Sequence, residues 1–127
     1  MMKKVIFIIC LVVSFCGRAQ KQSFVSYKPA EFEKLIGEDA DLQLVDVRRP
    51  DEYAAGHLEN AVLINVLDSG FVAEADSLLD KSKPVAVYCR SGKRSRDAAV
   101  KLSGRGFKVY ELEGGYNGWV DYQKSKK

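Results

Sequence analysis

Residues 85–102 carry the sequence VAVYCRSGKRSRDAAVKL. The first four residues form the most strand-like run in the chain, with apolar side chains for both faces of a sheet. The last ten predict a helix, because two alanines and Leu102 recur at helical spacing along its inner side. Cys89 therefore stands directly after a predicted strand and shortly before a predicted helix.

The rest of the chain shows the same alternation of short strands and helices. Strands that are apolar on both faces and alternate with helices indicate an α/β domain, whose mainly parallel sheet is covered on both sides. In such sheets the ligand crevice lies beyond the carboxyl ends of the strands, which is where Cys89 stands. Strands are predicted at residues 24–27, 42–47, 61–64, 85–88 and 107–110, and helices at 28–36, 51–55, 71–79, 93–102 and 116–122.

The first 19 residues form a separate segment. A positive start is followed by an uncharged apolar core of about 11 residues, whereas a membrane-spanning helix needs about 20. We therefore expect a secretory signal peptide over residues 1–19, with cleavage before Gln20, and a single domain over residues 20–127. The protein is then exported, either periplasmic or secreted, and keeps no stable membrane span after cleavage.

Two alternatives to this cleavage stay open. One is lipid attachment at Cys16, although the bulky Phe15 precedes it where such sites normally have a small residue. The other is that residues 5–15 form a buried strand or helix of the domain itself.

Removal of residues 1–19 changes both the charge and the cysteine content. The segment holds three cations and no acidic residue, so the formal net charge falls from +3 to zero. Binding to nucleic acid therefore has little electrostatic support. Of the three cysteines only Cys89 remains, which excludes an intrachain disulfide. Cys89 and the sole histidine, His57, are also too few for a structural zinc site, which needs four ligands.

The loop after Cys89 has the composition of an activated thiol site. A thiol becomes a strong nucleophile as its thiolate, and both a helix N-terminus and nearby cations favour that form. Gly92 permits a positive φ, so successive backbone N–H groups can curl around the sulfur or around an oxyanion. Four cations follow Cys89 within eight residues: Arg90, Lys93, Arg94 and Arg96. The alternative is an inert buried cysteine beside an ordinary basic helix start.

Three segments together resemble one known family. They are residues 87–95 (VYCRSGKRS), residues 44–61 with the elements LVDVR, EY and GHLENA, and residues 112–119 (LEGGYNGW). They resemble, in the same order, the signatures of rhodanese-like sulfurtransferases. The resemblance implies a three-layer α/β/α domain around a five-stranded, mainly parallel sheet.

The resemblance also implies a reaction of the thiosulfate sulfurtransferase type. The Cys89 thiolate would attack the sulfane sulfur of a small anionic donor, thiosulfate or a persulfide, and carry it as a persulfide to cyanide, a thiol or an acceptor protein. Neither a metal nor an organic cofactor is implied. The loop residues expected to bind substrate are Arg90, Ser91, Gly92, Lys93, Arg94 and Ser95.

Further residues of the resembling segments have expected roles near the site. Arg48 either contacts the donor at the rim or pairs with Glu52, four residues on. Asp46 is expected to be an orienting carboxylate, and the position of His57 is mainly structural in the family. The loop departs from several two-domain thiosulfate enzymes, since Ser91 and Arg94 stand where those enzymes carry Lys and Thr.

Two other functions remain as alternatives. Phosphatases and arsenate reductases of the same fold place an arginine six residues after the cysteine, where this chain has Ser95. A shorter loop leaves less room for a tetrahedral phosphate and suits a single sulfur atom. The second alternative is a persulfide carrier or protein-interaction module with little turnover of small molecules.

Overall fold

The computed structural model describes residues 24–127, so the predicted signal peptide over residues 1–19 lies outside the described residues. Strands and helices alternate along the described part of the chain, as the sequence predicts. The strands are β1 (Phe24–Tyr27), β2 (Gln43–Asp46), β3 (Val62–Leu63), β4 (Val85–Tyr88) and β5 (Val109–Leu112). The helices are α1 (Pro29–Glu38), α2 (Pro50–Ala55), α3 (Phe71–Leu78), α4 (Lys93–Gly104) and α5 (Gly115–Ser125).

The five strands form one sheet in the order β1-β5-β4-β2-β3, and every pairing in it is parallel. The expectation of a mainly parallel five-stranded sheet is therefore confirmed. β4 lies at the centre, between β2 and β5, and is buried along its whole length. The residue that follows its carboxyl end is Cys89.

Helices cover both faces of the sheet, which confirms the three-layer α/β/α architecture. On one face Val85 and Val87 of β4 pack with apolar side chains of α3 and α4. On the other face Ala86 and Tyr88 pack with Phe32 of α1, and α5 adds its aromatic side chains. Alternate residues of one strand thus enter two separate cores, because successive side chains of a strand point to opposite faces. Among the described residues, no helix has the length and apolar character needed to cross a membrane.

The last strand begins two residues later than the sequence predicts. Helix α4 continues to Gly104, and a turn that includes Gly106 at a φ of +96° follows it. The backbone N–H of Phe107 donates to the carbonyl of Leu102 at 3.2 Å, so this phenylalanine is a buried part of the turn. The shift brings Glu111 into the middle of β5, inside the protein.

Candidate active site

The sulfur of Cys89 lies at the start of the loop between β4 and α4, and the residue is only 1% exposed. Gly92 adopts a left-handed conformation with a φ of +118°, which glycine enters without steric penalty. This conformation turns the backbone N–H of Gly92 toward Cys89, where it donates to Sγ at 3.1 Å. An inward-pointing amide at the N-terminus of a helix stabilises negative charge on the sulfur.

Helix α5 holds the loop from the outside. The backbone N–H of Tyr116 donates to the carbonyl of Cys89 at 2.7 Å, and that of Asn117 donates to the carbonyl of Arg90 at 3.1 Å. The first N–H groups of a helix have no partner within the helix, so the loop carbonyls satisfy them. Gly115 permits this approach with a φ of +61°, because a Cβ there would lie 2.5 Å from the carbonyl of Arg90.

Ser95 lies beneath the sulfur, in the first turn of α4, and is fully buried. The thiol of Cys89 donates to Ser95 Oγ across 3.4 Å. Ser95 Oγ is also 3.1 Å from the carbonyl oxygen of Gly92 and 2.6 Å from Oε2 of Glu111. The structure therefore brings Ser95 to the sulfur from the protein interior.

The loop residues on the solvent side of the sulfur are exposed. Ser91, Arg90 and Lys93 are among them, and so is Arg96 in the first turn of α4. Within residues 24–127, none of these three cations forms an ion pair with an acidic side chain. Their positive charge is therefore available to an anion that approaches the loop.

Arg94 is held differently from the other cations. Its two terminal nitrogens donate to the two carboxylate oxygens of Glu52 at 2.7 and 2.9 Å, in a partly buried bidentate pair. The hydrogen bonds from Arg94 outweigh the effect of burial and lower the pKa of Glu52 from 4.5 to about 2. The same pair raises the pKa of Arg94, and the nearby Cys89 adds to that shift. The pair with Glu52 thus fixes the position of Arg94 in the first turn of α4.

Arg48 pairs with Asp46 and not with Glu52, the partner that the sequence spacing suggests. Its Nε and Nη2 donate to the carboxylate of Asp46, at distances down to 2.7 Å, and Nη2 also donates to the carbonyl of Gly56. The guanidinium lies 4.5 Å from the centre of the Tyr116 ring, and the residue is only 4% exposed. Arg48 still lines a cavity of about 190 Å³ together with Arg90.

The carboxylate of Asp46 is the centre of a buried network. It accepts hydrogen bonds from Arg48 and from the hydroxyl of Tyr88, the latter at 2.7 Å. Burial, helped by the hydrogen bond to Asp46, raises the pKa of Tyr88 far above its usual range. Tyr88 also accepts a hydrogen bond from the backbone of Leu58. Asp46, the last residue of β2, thus holds Arg48 and Tyr88, which is the last residue of β4.

His57 follows α2 in the chain and contacts Tyr53 of that helix. Its ring stacks on Tyr53 at 3.7 Å between ring centres, and Nδ1 is 2.8 Å from the carbonyl of Tyr53. It lines a groove of about 580 Å³ beside α1 and α5, and the residues of the Cys89 loop do not line this groove.

Two parts of the site were not found by sequence reasoning. One is Glu111, on the far side of Ser95, which lies beyond the predicted end of the last strand. A lone acidic residue between apolar strand residues is a signal that could have pointed to it. The anchoring of the loop by backbone groups of α5 has no side-chain signature except the glycine pair at 114–115. Within residues 24–127, no three His, Cys, Asp or Glu side chains are grouped to hold a metal ion.

Comparisons with known proteins agree with this architecture. The chain is 37% identical to YtwF of Bacillus subtilis over 97 residues, which cover 76% of this chain and 91% of that protein. It is 36% identical to thiosulfate sulfurtransferase 18 of Arabidopsis thaliana, over 86% of this chain and 88% of the relative. The crystal structure of a rhodanese-related protein from Thermoplasma volcanium superposes with a TM-score of 0.67 at 30% identity, covering 77% of this chain and 92% of the other.

The family model of the rhodanese-like domain matches residues 28–122, a range that runs from the residue before α1 into α5. That range contains the central sheet strands, the Cys89 loop and the α5 turn that holds it. The chain therefore belongs to the rhodanese-like domain family, whose members include sulfurtransferases.

Proposed function

We propose that this protein transfers sulfane sulfur through a persulfide on Cys89. The observation that carries the proposal is the placement of Cys89 Sγ at the start of α4, with the N–H of Gly92 donating to it at 3.1 Å. The same amide that stabilises a thiolate stabilises charge on a sulfur attached to it. The identity of relatives such as the Arabidopsis thiosulfate sulfurtransferase supports the same reaction class.

The reaction has two halves. In the first, the Cys89 thiolate attacks the outer sulfur of thiosulfate, the S–S bond of the donor breaks, and sulfite leaves with the bonding electron pair. In the second, cyanide or a thiolate attacks the outer sulfur of the Cys89 persulfide, and the Cys89 thiolate is regenerated. A persulfide donor replaces thiosulfate in the same step, with a thiolate as its leaving group.

The exposed cations suit an anionic donor. Arg90, Lys93 and Arg96 surround the loop on its solvent side without acidic partners among the described residues. They increase the local concentration of a small anion such as thiosulfate and favour departure of the charged sulfite. The same exposed charges also suit an acidic surface on an acceptor protein, which is the persulfide-carrier form of this function.

The loop is too short for the phosphatase alternative. Only three residues separate Cys89 from the start of α4, and Arg94 already has both terminal nitrogens on Glu52. Phosphatases of this fold place an arginine six residues after the cysteine, where this chain has the buried Ser95, so the loop suits one sulfur atom better than a tetrahedral phosphate.

Intact-mass measurement of the purified protein tests the proposal directly. Incubation with thiosulfate is expected to add about 32 Da, one sulfur atom, and cyanide is expected to remove it. The matched control is Cys89→Ser, which keeps the size of the side chain and is expected to stay at its original mass. A sulfur adduct on the serine variant, or none on the native protein, contradicts the proposal.

A turnover assay then separates an enzyme from a carrier. Steady consumption of thiosulfate in the presence of cyanide supports a metabolic sulfurtransferase. A protein that loads one sulfur but turns over slowly, and passes the sulfur quickly to a protein thiol, is a carrier.

A further inference from the structure

Glu111 is a fully buried carboxyl group on β5, beneath α4. Two serine hydroxyls reach it, Ser26 from β1 at 2.6 Å and Ser95 from α4 at 2.6 Å. Its neighbour on the adjacent strand β4 is the uncharged Val87. No lysine, arginine or histidine of residues 24–127 forms an ion pair with it.

This environment is costly for a side chain that has only a packing role. Burial of a carboxylate without a cation is unfavourable, and an apolar residue such as the neighbouring Val109 would fill the space without that cost. Glu111 is nevertheless only one hydroxyl away from the sulfur of Cys89, because Ser95 Oγ contacts both groups.

Ser95 has a single hydroxyl proton and three neighbours that can accept it. They are Oε2 of Glu111 at 2.6 Å, the carbonyl of Gly92 at 3.1 Å and the sulfur of Cys89 at 3.4 Å. When Glu111 is ionised, the hydroxyl donates to the carboxylate, which is the shortest and charge-assisted contact. Ser95 Oγ then offers only lone pairs to the sulfur, and it accepts the S–H of a neutral thiol.

The reverse arrangement uses the same atoms with opposite polarity. When Glu111 is protonated, its O–H donates to Ser95 Oγ, and the Ser95 hydroxyl is free to donate to the sulfur. That arrangement stabilises a thiolate. The two states differ by the transfer of one proton and need no movement of the heavy atoms.

We propose that Glu111 is a positioning residue that holds the proton lost by Cys89, an inference that rests on the proposed function. The proton of Sγ passes to Ser95 Oγ as the Ser95 proton passes to Oε2 of Glu111, and no electrons are exchanged. The thiolate is then ready to attack the donor sulfur. When the acceptor removes the sulfur from the persulfide, the Cys89 thiolate is released, and the reverse shift restores the thiol.

The charged groups near the sulfur do not replace this role. Glu52 holds Arg94 in a fixed position and neutralises it through a bidentate pair. Arg90, Lys93 and Arg96 lie on the solvent side of the loop. On the interior side of the sulfur, the described residues that can take up the thiol proton through hydrogen bonds are Ser95 and Glu111.

The test is the pH dependence of Cys89 alkylation by iodoacetamide, with no sulfur donor present. Because the cysteine and the glutamate share one proton over a range of pH, the native protein is expected to show two steps in the alkylation rate. Glu111→Gln keeps the shape and an N–H donor but cannot take up the proton, so it is expected to show one step. Ser26→Ala removes the other hydroxyl on Glu111 and is the matched control, with both steps retained.

Two outcomes overturn the proposal. One is a single step in the native protein, and the other is a Glu111→Gln profile that superposes on the native profile. If Glu111→Gln does not fold, the native protein still decides the matter through the carboxyl carbon-13 resonance of Glu111. Its titration is expected to lose one step after Cys89 is alkylated, and an unchanged titration overturns the proposal.

The alkylation profile tests the proton relay, and the mass measurement tests the persulfide, so either proposal can be contradicted without the other. Two steps in alkylation without a sulfur adduct on the native protein support the proton relay and contradict the proposed persulfide. A sulfur adduct with one-step alkylation supports the persulfide and contradicts the relay.

Discussion

Gly115→Ala is expected to be the substitution outside the loop that disturbs the site most. Gly115 has a φ of +61°, and a Cβ there would lie 2.5 Å from the carbonyl of Arg90 and 2.7 Å from that of Cys89. Both neighbours are backbone atoms of the Cys89 loop, so they cannot move aside as the end of a flexible side chain can. The loop or the start of α5 must shift instead.

The size of the effect follows from two contributions. A non-glycine residue in the left-handed region costs about 1–2 kcal/mol. The shift also weakens the two hydrogen bonds from Tyr116 and Asn117 to the loop, each contributing about 1 kcal/mol. The free energy of unfolding is therefore expected to fall by about 3 kcal/mol, which lowers the Tm of a domain of this size by 10 °C or more, at roughly 4 °C per kcal/mol.

Urea unfolding and sulfur loading from thiosulfate measure the two consequences. The matched control is Gly118→Ala in the same helix, where a Cβ meets nothing nearer than the carbonyl of Glu113 at 3.8 Å. Alanine inside a helix is favoured over glycine by about 0.5–1 kcal/mol, so this control is expected to be at least as stable as the native protein. A Gly115→Ala protein with native stability and native loading would refute the reasoning.

Three further predictions concern other parts of the chain. Cys89→Ser is expected to abolish sulfur transfer, because a serine hydroxyl in the same loop is not ionised at neutral pH; residual turnover in a cyanide assay would refute a covalent role. Arg94→Ala removes the pair that depresses the pKa of Glu52, and the stability supplied by that pair is present above about pH 4.5 and is lost as the pH falls toward about 2. The native protein is therefore expected to lose more stability than Arg94→Ala in acid unfolding between these pH values, and parallel curves would contradict the assignment. Export is expected to yield a mature chain that begins at Gln20, and N-terminal sequencing of the protein from a periplasmic or extracellular fraction checks it; a lipid-modified Cys16 or an intact Met1 would contradict it.

The sequence predicts the features of the site that are local along the chain. The strand, the cysteine, the glycine with a positive φ and the helix start all lie within residues 85–102, so their order alone places the thiol at the end of β4. The alternation of strands and helices likewise predicts the parallel sheet, because each strand is apolar on both faces.

Ion-pair partners are less predictable, because several acidic residues compete for each cation. Arg48 has Asp46 two positions before it and Glu52 four positions after it, and the helical spacing favours Glu52. In the structure Arg48 lies outside a helix, two residues after the end of β2, and pairs with Asp46. Glu52 is therefore left for Arg94, which lies 42 positions away and is adjacent only in the folded chain.

The charges of the site follow from this pairing. Asp46 and Glu52 neutralise Arg48 and Arg94, which are both largely buried, so these two arginines contribute shape and rigidity next to the loop. The other three cations at the loop are exposed and form no ion pair with residues 24–127: Arg90, Lys93 and Arg96. Under the proposed function, attraction of an anionic donor is therefore expected to depend on the exposed set. Substitution in the paired set acts through the geometry of the loop and leaves a buried carboxylate without its partner.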